Sequence, residues 1–95
     1  MIVRVSGTGQ FELTDEGIHK LDEMDTALTA AIETGDAARF QDLLHATIAF
    51  VRSNGNPVGH ERVVPSDVII PPEDVDIHEA RRFFTDEGLM APLQA

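Results

Sequence analysis

The chain contains no cysteine, no tryptophan and no tyrosine, and each absence removes a class of protein. Without thiols there is no disulfide, no thiolate zinc site and no cysteine nucleophile. Five phenylalanines are the only large aromatic side chains, so Ile, Leu, Val and Ala must carry the core. Basic residues are also scarce, seven Lys and Arg against seventeen Asp and Glu, for a formal charge of -10. A field of that sign disfavours DNA, RNA and direct attraction to anionic lipid, all of which are met with basic residues. No apolar run approaches the roughly 18 residues of a membrane span, and the N-terminus lacks the basic and apolar regions of a signal peptide. The expected compartment is therefore the cytoplasm, with any membrane role indirect through a partner.

What is present fits one small domain spanning residues 1–95, with 42% hydrophobic and 25% charged residues and no repeat or low-complexity stretch. A chain of this length buries about 60 to 65% of its unfolded surface, enough for a single core. Near the start, "SGTGQFEL" places two glycines one residue apart. A phosphate loop would follow such glycines with a lysine and a helix N-terminus. Here Phe11 and Leu13 alternate with polar neighbours instead, the period of a strand, so Gly7 and Gly9 read as the turn of a β-hairpin.

Thr14 and Asp15 offer N-cap oxygens to a helix whose apolar residues Ile18, Leu21, Met24, Leu28, Ala31 and Ile32 recur at three- and four-residue steps. Gly35 ends it and Asp36 caps a second helix carrying Phe40, Leu43, Leu44, Ile48 and Val51. So short a link predicts an antiparallel helical hairpin. Its outer faces are expected to carry Asp22, Glu23, Asp25, Glu33 and Asp42. Residues 54–62, with Gly55, Pro57 and Gly59, read as an exposed loop. Val68-Ile69-Ile70, stopped by Pro71-Pro72, reads as a third strand buried on both faces. Asp76 and Glu79 have the spacing of a capping box, with Val75 and Ala80 as its staple. The helix they open is expected to end at Asp86-Glu87-Gly88.

Chemistry is harder to find. His19 and Glu23 share a helix face, but two ligands do not close a metal site. His45 is expected to bond locally with Asp42, and His60, beside Glu61, reads as a surface residue. Ser6, Ser53 and Ser66 lack a nucleophile elbow; Ser66-Asp67 reads as a turn. No catalytic, cofactor or metal residue is assigned. Binding is left as the expected activity. Phe83 and Phe84 are adjacent and so point about 100° apart on a helix. One then packs inward while the other stands exposed beside Arg81 or Arg82, unless both are buried between sheet and helices.

Three segments, "MIVRVSGTGQFEL", "ALTAAIETGD" and "VPSDVIIPPEDVDIHEARRFFTDEGLMAP", give the chain a resemblance to the PspA-associated (PspAA) proteins over nearly its whole length. The resemblance implies a non-enzymatic accessory of the phage-shock, envelope-stress response, with PspA, a coiled-coil protein that assembles on membranes, as partner. The expected fold is α+β: a β-hairpin and a short third strand covered by an antiparallel helical hairpin and a short C-terminal helix. The candidate binding surfaces are residues 77–87, through Arg81, Arg82, Phe83, Phe84 and Glu87, and the edge of the hairpin at residues 1–13. A homo-oligomeric scaffold and a small metal-dependent hydrolase are the rival readings.

Overall fold

Strand alternation builds the first layer. In the computed structural model, which describes residues 1–59 and 64–84, β1 (Ile2–Val5) and β2 (Gly9–Glu12) form the expected antiparallel hairpin. Val3, Val5 and Phe11 turn inward and are buried, while Arg4 and Glu12 face outward. The connecting turn holds Gly7 at φ 82° and Gly9 at φ 139°, conformations that side chains with a Cβ rarely adopt.

Two further strands, β3 (Asn56–Pro57) and β4 (Val68–Ile70), complete an α+β fold whose sheet runs in the order β3-β2-β1-β4. β4 is the expected third strand by sequence, and it lies parallel to β1. Two readings are corrected here. Residues 54–62 include a strand, because Asn56 and Pro57 pair with Glu12 and Phe11. β4 is not buried on both faces: Val68 and Ile70 point into the core, but Ile69 between them is 47% exposed. Alternation along a strand requires this wherever helices cover only one face of a sheet. The hairpin also has no open side, since β4 flanks β1 and β3 flanks β2. This removes its edge as a candidate surface.

With β3 and β4 at opposite edges, the chain between them must cross the sheet. Gln10, which faces away from the helices, donates its Nε2–H groups to the Val64 carbonyl and the Ser66 hydroxyl, each at 2.9 Å. Residues 64–66 therefore lie against the outer face. Asp67 then fastens the crossing to β1, its Oδ2 accepting from Ile2 N at 2.8 Å and its own N–H donating to Ile2 O at 2.8 Å.

The second layer is α1 (Asp15–Thr34) and α2 (Ala37–Asn54). Thr14 caps α1 by accepting from Gly17 N at 3.2 Å, and Asp15 and Glu16 place negative charge at the positive end of its dipole. At the other end Gly35 adopts φ 73°, with Gly35 N bonded to Ile32 O and Asp36 N to Ala31 O. This is the paired-bond glycine terminus that lets a second helix start at once. Asp36 begins it by accepting from Arg39 N at 3.1 Å. Leu21, Leu28, Phe40, Leu44 and Val51 are fully buried, packed with the inward residues of the sheet in one core.

One charged residue departs from its expected place. Asp25 is buried, at 3% exposure, because it lies four residues after Leu21 and three before Leu28, on the inward stripe of α1. Glu23, Glu33 and Asp42 face solvent as expected, and Asp22 is half-buried.

Candidate functional site

The segment after β4 positions the candidate residues. Pro71 is buried and residues 72–75 run along one flank of α2. That flank is the stripe Gln41, His45, Ile48 and Arg52, spaced four, three and four residues apart. Gln41 Nε2 donates to Val75 O at 2.7 Å. His45 Nε2 lies 3.2 Å from Glu73 O, an arrangement that puts the ring proton on Nε2. The expected local pairing of His45 with Asp42 is thereby replaced by a tie to a segment 28 positions later, since a backbone carbonyl fixed by two prolines is the better-placed acceptor.

Asp76 then caps α3 (Ile77–Ala80), accepting from Glu79 N at 2.8 Å. That bond, from a backbone N–H, is the main cause holding the Asp76 carboxyl below its ordinary value; the nearby His78 adds a smaller push in the same direction. Val75 and Ala80 are both buried, as a staple requires. Beyond Ala80 the chain tightens into turns, with Arg82 N bonded to Glu79 O and Phe83 N to Ala80 O. These bonds span three residues, so the regular helix is shorter than expected. Its expected terminus at Asp86-Glu87-Gly88, and with it Glu87, lies outside the described residues, as does His60.

The four described candidates lie side by side at the closed end of the helical hairpin. Phe84 is half-buried and sets its ring edge-on to Phe40, with centroids 6.4 Å apart and planes at 74°. Phe83 is half-buried beside the exposed Arg82. Arg81 is exposed, and its Nη2 reaches the Ile32 carbonyl at 3.4 Å. α1 has no basic residue in its last turn; Arg81 supplies that charge from elsewhere in the chain, where the helix dipole is negative.

A second feature lies at the other end of the same flank. A cleft of about 250 Å³ is bounded by the hairpin turn Ser6-Gly7-Thr8, by Ile48 and Arg52 of α2, and by Pro72, Glu73 and Asp74. Ligand pockets for small molecules run from about 300 to 1,000 Å³, so the cleft is of side-chain size. Among the described residues no three His, Cys, Asp or Glu side chains gather as metal ligands, and no helix is long and apolar enough to cross a membrane.

A family model, PspA-Associated protein, matches residues 1–92. The chain belongs to the PspA-associated protein family. No curated protein and no solved structure matches it. Membership ties the chain to PspA by name, within a family of accessory proteins that is not a known enzyme family.

Sequence reasoning singled out Arg81 to Phe84 but missed the cleft and Arg52. The cleft joins three segments that are distant in sequence, and no local pattern marks it. The tie between α2 and residues 73–75 left one trace, the spacing of Gln41 and His45 on the flank of a stripe otherwise apolar inward.

Proposed function

We propose that this chain is a non-enzymatic adaptor of the PspA membrane-stress response, a single cytoplasmic domain that binds a PspA-like coiled coil and meets the membrane only through it. The observation that carries this reading is the family match over residues 1–92. The charge of -10 supports it, because such a field steers a partner bearing basic residues while keeping the chain itself from anionic lipid. The segment Arg81, Arg82, Phe83 and Phe84 supplies a contact surface: Phe84 anchors the segment to Phe40, leaving Arg82 and Phe83 to offer a cation and an apolar ring.

The experiment is capture of purified PspA from the same organism by this chain at low and at high salt. Capture that weakens as salt rises is the expected result, since exposed charges are screened beyond about 10 Å at 0.1 M salt. Capture at neither salt overturns direct binding.

A homo-oligomeric scaffold is the second reading, favoured by the outer edge of β4. Ser6 N donates to Ile70 O, so by alternation along a parallel ladder the backbone groups of Ile69 face away from β1. Among the described residues no strand pairs with that edge. Sedimentation of the chain alone separates a monomeric adaptor from a self-pairing scaffold.

A further inference from the structure

We draw no further inference here: the strongest candidate, the surface patch on the outer face of the helical hairpin, where half-buried Met24 of α1 and Leu43 and Phe50 of α2 lie with exposed Ala46 and Ala49, is an apolar helix face, and nothing in the structure shows what covers it.

Discussion

Gln10, inside β2, donates to the Ser66 hydroxyl at 2.9 Å across 56 positions of sequence, and the same amide reaches Val64 O. One side chain thus ties two positions of the crossing to β2, beside the two bonds between Asp67 and Ile2. Gln10→Ala is expected to cost about 1 to 2 kcal/mol, the range for two neutral hydrogen bonds of modest net worth each. Hydrogen exchange reads the effect locally: the amide of Asp67, bonded to Ile2 O, exchanges faster than in the unaltered chain. Exchange unchanged at Asp67 would show that Asp67 and Ile2 hold the crossing without Gln10.

The ring contact between Phe40 and Phe84 predicts unequal costs for the same substitution. Phe40 is fully buried, and Phe40→Ala is expected to cost about 3 to 5 kcal/mol. Phe84 is half-buried, and Phe84→Ala is expected to cost about 1.5 to 2.5 kcal/mol, roughly half the range for a fully buried ring. Denaturant unfolding of the single and double variants should give a coupling of about 0.5 to 1.5 kcal/mol. Additive losses would mean that Phe84 is held by other contacts and that its neighbours are not anchored through it.

What the sequence made legible is what local rules govern. The glycine terminus at Gly35, the caps at Thr14, Asp36 and Asp76, and the inward stripes of both long helices follow from spacing and side-chain chemistry, except that Met24 is only half-buried and Asp25 takes the inward position expected of it. Asp25 is buried because position outranks polarity there: residues 18, 21, 25, 28 and 32 form one stripe. Expecting Ile69 to be buried took an apolar run as evidence for two covered faces, whereas all the long helices lie on one. β3 was hidden because Asn56-Pro57 has no strand propensity of its own and is placed by pairing to β2. The candidate site divides the same way: Arg82 and Phe83 are visible in a run of four residues, but the cleft exists only after residues 5–8, 48–52 and 72–74 meet.

Gly55 separates two reasons for keeping a glycine. Its backbone is extended, at φ -84° and ψ 152°, so conformation alone would admit any residue. A Cβ there would lie 2.7 Å from Val51 O and 2.8 Å from Phe11 Cβ, and neither atom is the free end of a side chain. Gly55→Ala is therefore expected to cost about 1 to 3 kcal/mol through overpacking, with β3 losing its pairing to β2. Gly35→Ala meets open space and is expected to cost only about 1 to 2 kcal/mol, the penalty for a left-handed residue with a Cβ. Thermal unfolding of both variants checks the values, and exchange at Val58 N, bonded to Gln10 O, distinguishes them. Loss of protection belongs to Gly55→Ala alone.

Asp76 gives the segment before the candidate surface a dependence on pH. Its carboxylate accepts from the backbone N–H of Glu79, which favours the charged form, so the folded value lies below the ordinary 3.8. A lowered acid binds fewer protons in the folded state than in the unfolded one. Its contribution is therefore fully present above 3.8 and is lost as pH falls through the lowered folded value. The expected observation is a side-chain titration of Asp76 with its midpoint under 3.8, mirrored by the Glu79 amide shift as the cap is released. Asp76→Asn keeps an oxygen that can accept from the same N–H and should remove the pH response of that amide while α3 persists. A midpoint at the ordinary value would mean that Glu79 N finds another acceptor in solution and that the turn carrying Arg82 and Phe83 starts without this cap.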